Sequence, residues 1–312
     1  MTRIGVLFPG QGAQFVGMGA DLFGRHPDLL GPDADAVLGW SLADACLEGP
    51  LERLTDTEVA QPALFAVALA TFRELDDALP DGVVIRAAAG HSLGEYTALV
   101  AAGALDSTAG LRLVAARGRA MAAAAAREPS GMAALIGADE ATAEAFAEAR
   151  RELGGRLWVA NVNAPGQVVV AGGVSDLEWA TATARDHGIR RVIPLEVAGA
   201  FHTPFMAPAA DDLEAALDRT PFATPAFGVW ANLTAEPHEG DLPGALAAQL
   251  TGRVRFADCL RAMAPHVDMF VHVGPGDVTA GMARRTVPET PVAIVDGLEA
   301  VEAVVARLGE AA

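Results

Sequence analysis

Residues 83–103, VVIRAAAGHSLGEYTALVAAG, constrain the fold more than any other stretch of the chain. Val83, Val84 and Ile85 open a β-branched run that suits a buried strand. Gly90, Ser92 and Gly94 then spell G-x-S-x-G, and Glu95 to Ala102 continues in a helical pattern that Gly103 stops. Strand, sharp turn and helix in direct succession form the setting of a nucleophile elbow. Glycine on both sides leaves room for a strained turn that lifts the serine hydroxyl clear of the backbone. The backbone N–H of Leu93 then faces the same space and can stabilise an oxyanion. An ordinary glycine-flanked loop serine is the bland alternative. The context favours catalysis, with Ser92 as the nucleophile.

The rest of the chain supplies the alternation that such a strand needs around it. Residues 4–8 form a strand candidate running into Phe8-Pro9-Gly10-Gln11-Gly12-Ala13-Gln14. Gly10, Gly12, Gly17 and Gly19 do not fit G-x-G-x-x-G, and no G-K-[ST] follows. Nucleotide binding is therefore rejected at this turn, while a loop whose N–H groups face a cleft remains open. Residues 20–80 read as mostly helical, with a long apolar stripe from Glu58 to Leu79 and Pro62 placed as a helix start. A further helix over 111–126 carries Arg112, Arg117 and Arg119, which propensity alone assigns to a solvated face.

From Ser130 the texture changes. Strands at 132–136, 157–162, 167–171 and 191–197 enclose helices at 139–153 and 176–187. This β-α-β-β-α-β order over about 70 residues matches a ferredoxin-like unit. Helices at 203–217, 242–250, 256–263 and 279–285 then alternate with strands at 226–231, 269–273 and 292–295, before a C-terminal helix. The expected class is α/β, with an α/β-hydrolase-like parallel-sheet large subdomain over residues 1–127 and 198–312. The ferredoxin-like small subdomain is inserted at 128–197. No internal repeat or low-complexity linker is visible.

Composition narrows the function classes. The chain has 312 residues, of which 52% are hydrophobic and 20% charged, as befits a globular protein with a large core. A net charge of -18 argues against nucleic acid and against an anionic membrane surface. All 22 basic residues are arginine, so every fixed positive charge is a planar guanidinium capable of bidentate pairing. Cys46 and Cys259 offer neither a disulfide framework nor metal-ligand spacing, and read as buried thiols in a reducing compartment. No apolar run is long enough for a bilayer, and Met1 leads almost directly into a strand-like segment. Both observations predict a cytoplasmic protein.

A serine nucleophile needs a base, most often histidine. Of the seven histidines, His26, His187 and His238 fall in polar loops or helix ends and read as exposed. His91 adjoins the serine, where neighbouring side chains on a turn point apart, and reads as structural. His266 and His272 flank a strand without a partner motif. His202, in Gly199-Ala200-Phe201-His202-Thr203-Pro204, lies where a strand passes into a helix, the place where sites gather in open α/β sheets. His202 leads.

At this point separated segments agree. Phe8 to Gln14, Gly90-His91-Ser92-Leu93-Gly94-Glu95-Tyr96, Arg117-Gly118, Asn163-Ala164-Pro165-Gly166-Gln167, Gly199 to His202, Val273-Gly274-Pro275-Gly276 and Arg284-Arg285 together resemble motifs of the malonyl-CoA:acyl carrier protein transacylases. Both the stand-alone enzymes of fatty-acid synthesis and the acyltransferase domains of polyketide synthases share this pattern. The resemblance implies that Ser92 attacks the malonyl-CoA thioester and that His202 serves as base. It implies an oxyanion hole from the backbone N–H groups of Gln11 and Leu93, and a histidine oriented by a backbone carbonyl near Gln249. Arg117 would pair with the free malonyl carboxylate, and Gln61, His91 and Phe201 would complete the substrate pocket. Phe before the histidine is the family's malonyl pattern, against Ser for methylmalonyl.

The second substrate implied is the phosphopantetheine thiol of an acyl carrier protein, itself usually acidic. Arg190, Arg191, Arg284 and Arg285 are the candidate basic patch for that encounter, with scattered surface charge as the equal alternative. No cofactor or metal is implied, and the family suggests a monomer. Three alternatives stay open: a trans-acting polyketide acyltransferase for another acyl group, a serine thioesterase or hydrolase, and an idle carrier-docking protein. A hydrolase of this class would need an acid between Ser92 and His202 in chain order, where Asp139, Asp176 and Asp186 lie.

Overall fold

The computed structural model describes residues 1–311. Its strands are β1 (Thr2–Phe8), β2 (Val83–Gly90), β3 (Ser130–Ile136), β4 (Leu157–Ala164), β5 (Gln167–Gly173), β6 (Arg191–Pro194), β7 (Gly228–Trp230), β8 (Met269–Val273) and β9 (Val292–Val295). Two sheets form. The first has the order β7-β2-β1-β8-β9 with every pair parallel. β1 takes its centre because Ile4 to Phe8 is an unbroken buried run, as a strand covered on both faces requires.

Register then sets the site. Phe8 pairs with Gly90, so β1 and β2 end side by side. The loop Pro9–Gln14 and the turn His91–Leu93 therefore leave the sheet together at its carboxyl edge, the edge where ligands bind in such sheets. The His91 N–H donates to the Phe8 carbonyl at 3.0 Å, which ties the turn to the end of β1. Glycine permits the closeness. A Cβ on Gly90 would lie 1.8 Å from the Gly94 carbonyl carbon, and one on Gly10 would lie 2.3 Å from the His91 carbonyl oxygen. The G-x-S-x-G spacing is thus a steric requirement of a strand that turns at once into the helix Gly94–Ala101.

The second sheet is antiparallel in the order β4-β5-β3-β6, the ferredoxin-like arrangement expected from the sequence. Its alternation divides its residues cleanly. Ala133, Leu135, Val168 and Val170 pack beneath the helices Glu140–Glu152 and Val174–Thr183, whose Phe146 and Trp179 stack at 4.9 Å. Met132, Ala134, Asn161, Asn163, Gln167 and Val169 face a cleft against the first sheet. The edge of β4 also bonds the segment after the helix Leu242–Gln249: Val162 N–H donates to Val254 O at 2.9 Å, and Val254 N–H to Ala160 O at 2.8 Å.

Several local expectations are corrected. Residues 20–25 form turns rather than helix. Pro62 sits inside the helix Thr57–Ala78 rather than at its start, where its missing N–H removes one bond to exposed Glu58. The strand expected at 226–231 is only Gly228–Trp230. His238 is half-buried rather than exposed, with a side chain only 3% accessible, and His26 is half-buried against Glu74. Cys46 and Cys259 are both buried, and burial pushes both thiols up, Cys46 to about 12. Among the described residues no helix is long and apolar enough to cross a membrane, and no cluster of His, Cys, Asp or Glu could hold a metal ion.

Candidate active site

Two non-glycine residues with left-handed backbone face each other across the cleft: Ser92, with φ of 52°, and His202, with φ of 60°. Such strain collects at functional sites, where the surrounding structure enforces it. The turn after β2 projects Ser92, and the segment before the helix Ala207–Leu217 projects His202. Ser92 Oγ lies 2.7 Å from His202 Nε2. His202 Nδ1 lies 3.0 Å from the Gln249 carbonyl oxygen, which can only accept, so Nδ1 carries the proton. Nε2 is then the free acceptor for the serine hydroxyl proton. A backbone carbonyl thus does the orienting that an aspartate does in a triad. Asp139 instead caps a helix at Thr142, Asp176 pairs with Arg150, and Asp186 lies on an exposed turn.

Burial and then the charge of Arg117 push His202 down to about 3, while the Gln249 carbonyl pulls the other way. The imidazole is therefore neutral near pH 7, the state in which Nε2 can accept a proton from Ser92. The rate of Ser92 acylation at low donor concentration is expected to stay flat as pH falls through 6.5. An acid limb centred near 6.5 would contradict this reading. Stability should respond in the opposite sense. Burial also holds His91 and His272 below their ordinary value. Below about pH 6.5 the unfolded chain takes up protons at these histidines and the folded chain does not. Stability is thus full above that pH and is lost as pH falls, by up to about 1.4 kcal/mol per pH unit for each depressed histidine. Denaturant midpoints at pH 7 and pH 5 would measure it.

Arg117 is the largest fully buried side chain, 1% exposed, on the helix Ser107–Arg127, whereas Arg112 and Arg119 are exposed. Gly118 makes this possible. A Cβ there would lie 2.9 Å from the Thr57 carbonyl oxygen, so the two long helices meet nearly backbone to backbone. Arg117 Nη1 donates to Gln61 Oε1 at 2.7 Å, and Nη2 donates to Gln249 Oε1 at 2.9 Å and to Ser92 Oγ at 3.0 Å. Its guanidinium carbon lies 5.5 Å from the centre of the Tyr96 ring. Burial pulls its pKa down, but arginine starts so high that the charge persists. No carboxylate among the described residues bonds to it, and its Nε has no partner. The charge of Glu95 supports it only from beyond hydrogen-bond contact, so the guanidinium beside the Ser92 hydroxyl is left open to a directly bonded carboxylate.

The cleft holds about 650 Å³, with Gln11, Gln61, His91, Leu93 and Phe201 in its walls beside Ser92, Arg117 and His202. The backbone N–H groups of Gln11 and Leu93 have no partner among the described residues, as free oxyanion donors require. His91, read from its position as structural, both lines the cleft and is tied by Nε2 to Asn163 Oδ1 at 2.8 Å. The four surface arginines, Arg190, Arg191, Arg284 and Arg285, are exposed. Arg285 donates to the cleft residue Gln167, but the other pair sits at the start of β6. Asn232 escaped sequence reasoning. Asn232 Oδ1 accepts the Ser92 N–H at 2.7 Å and its Nδ2 donates to the Gly90 carbonyl at 2.7 Å. Nothing local to residue 232 signals that role.

The family model described as the acyl transferase domain matches residues 6–306. The malonyl CoA-acyl carrier protein transacylase of Bacillus subtilis is 36% identical over 315 residues, covering 99% of this chain and 98% of that protein. The polyketide biosynthesis malonyl CoA-acyl carrier protein transacylase BaeC of Bacillus velezensis is 39% identical over 296 residues, covering 92% and 98%. A solved type II polyketide synthase acyl-carrier protein in complex with its malonyl-transacylase superposes with a TM-score of 0.92 at 32% identity, over 98% of this chain and 100% of that one. Likeness of this degree, running through both sheets and both walls of the cleft, means that the chain belongs to the acyl transferase family, among the malonyl-CoA:acyl carrier protein transacylases.

Proposed function

We propose that the protein moves a malonyl group from malonyl-CoA, through an ester on Ser92, to the phosphopantetheine thiol of an acyl carrier protein. The observation that carries this reading is Arg117: a buried guanidinium with no carboxylate partner, 3.0 Å from the nucleophile. A malonyl thioester brings the anion that it lacks, and a guanidinium matches a carboxylate bidentately. Ser92 Oγ attacks the thioester carbonyl as His202 Nε2 takes its proton, and the N–H groups of Gln11 and Leu93 hold the oxyanion. Collapse expels the CoA thiolate, which takes the proton from His202. The carrier thiol then attacks the malonyl ester, giving its proton to His202 and returning it to Ser92. Nucleophile, base and electrophilic donors are all in the chain, so the chemistry needs no metal or cofactor.

The reading serves fatty-acid or polyketide synthesis in the cytoplasm, by a monomer. It divides the chain into residues 1–127 with 198–312 and residues 128–197, with the cleft between them. Arg190, Arg191, Arg284 and Arg285 would offset the net charge of -18 where the carrier docks. Phe201, buried in the cleft wall, favours malonyl over methylmalonyl by about 1–3 kcal/mol, the usual worth of one methyl group. Intact mass after brief exposure to malonyl-CoA tests the reading. A malonyl adduct discharged faster by holo-carrier protein than by water is expected. Discharge to water at the same rate would indicate a hydrolase, and no adduct at all would exclude the malonyl reading.

A further inference from the structure

Glu95 lies three residues beyond the nucleophile, in the first turn of the helix Gly94–Ala101, and is 1% exposed. A carboxylate is costly to bury unless its lone pairs are met, and here they are. Oε2 accepts the backbone N–H of Asn232 at 2.8 Å and an Nε2 proton of Gln249 at 2.9 Å. Oε1 accepts the Nε2 proton of His238 at 2.7 Å. His238 reaches it from a loop whose neighbours Pro237, Glu239 and Gly240 are exposed, so the side chain turns inward for this one contact.

What the carboxylate holds gives it a role. Ser92 keeps a strained φ of 52°, and both of its backbone polar groups are tied down. Asn232 Oδ1 accepts its N–H at 2.7 Å, and Gln249 Nε2 donates to its carbonyl at 3.0 Å. Asn232 and Gln249 are the two residues that Glu95 Oε2 anchors. The Gln249 amide is the sharper case. Its two Nε2 protons go to the acceptors Ser92 O and Glu95 Oε2, which forces Oε1 to face Arg117 Nη2 at 2.9 Å. Without Glu95 the amide can rotate and turn an N–H toward the guanidinium. The carbonyl of that same residue orients His202. Elbow, base and cationic subsite thus share one support.

We propose that Glu95, held by His238, is a positioning residue that fixes Asn232 and Gln249 and through them the reactive geometry of Ser92, His202 and Arg117. The proposal rests on Ser92 as the nucleophile, so its test uses a reagent that reads Ser92 without a malonyl group. A neutral fluorophosphonate forms a phosphonyl ester on the serine oxygen and releases fluoride, the serine proton leaving through His202. Its second-order rate, measured by intact mass per folded molecule, is compared in Glu95→Gln and Glu95→Asp. Gln keeps the length and one acceptor oxygen for Asn232 and Gln249, and its amide can donate to His238 in the other tautomer. That variant should stay within about tenfold of the parent, as for one weakened hydrogen bond. Asp keeps the charge but withdraws it by one methylene, and should react about 10²-fold more slowly, the scale of an ångström's misplacement. The kcat for malonyl transfer should follow the same order. Parental rates in both variants, with only a lowered denaturation midpoint, would overturn the proposal, as would Asp outpacing Gln. A parent that the reagent does not label at Ser92 would instead remove the nucleophile assignment beneath it.

Discussion

Ser92→Ala should abolish the malonyl–enzyme adduct and lower transfer to the carrier by about 10⁴-fold or more, the scale of loss when a covalent nucleophile is removed. Among the described residues, Ser92 Oγ is the one atom that hydrogen-bonds both His202 Nε2 and Arg117 Nη2. Alanine leaves the base with no hydroxyl to activate. The fold should survive, because the bonds that hold the elbow run to the backbone of residue 92: its N–H to Asn232 and its carbonyl from Gln249. Serine already occupies the left-handed region there, so alanine adds little strain beyond that of the parent. Donor binding should also survive, since Arg117, Gln61 and Phe201 are untouched. Calorimetric titration with malonyl-CoA should therefore give a near-parental Kd alongside a blank mass spectrum. A malonyl adduct persisting in Ser92→Ala would place the nucleophile elsewhere.

The elbow was legible because its signal is local. G-x-S-x-G directly after a β-branched run states a strand, a turn and a helix within a dozen residues, and Gly90 is glycine for contacts inside that same turn, whereas Gly94 is glycine because a Cβ there would lie 2.5 Å from the Phe8 carbonyl oxygen at the end of β1. The antiparallel unit was legible for a related reason, since its β-α-β-β-α-β order is continuous in the sequence and its hairpin turns on Pro165-Gly166. Arg117 was not legible from pattern alone. Three arginines on one alanine-rich helix look alike, and only the close approach at Gly118 buries this one while Arg112 and Arg119 stay wet. The resemblance of Arg117-Gly118 to a known motif supplied what periodicity lacked. Asn232 and His238 were beyond both routes. Each acts on residues about 140 positions away, Asn232 on Ser92 and His238 on Glu95, through side-chain bonds that exist only once β7 has paired with β2. A polar loop segment carries no local mark of such a contact, so His238 reads as exposed until the chain is folded.

Arg117→Ala should reverse the donor preference while leaving the nucleophile intact. In the parent, malonyl-CoA supplies the anion that the buried guanidinium lacks, and acetyl-CoA would leave that charge unpaired. Removing one partner of a buried pair costs about 3–5 kcal/mol, because the other is left as an uncompensated charge. Malonylation in Arg117→Ala should accordingly fall by roughly 10²- to 10⁴-fold. Acetylation should fall far less or rise, since the vacated volume is neutral and acetyl has no carboxylate to strand. His202 sharpens the contrast. The charge of Arg117 is the second cause of its depressed pKa, after burial, so the variant's histidine becomes a stronger base. Ser92 also loses the Nη2 donor at 3.0 Å, which in the parent holds its oxygen beside the base. Uniform loss with malonyl- and acetyl-CoA alike would mean that Arg117 serves only to position Ser92 and Gln249. A selective loss with malonyl-CoA, read by intact mass in parallel reactions, would identify the guanidinium as the carboxylate's partner. The two outcomes differ in the ratio of rates rather than in their size, so partial misfolding of the variant cannot mimic the second.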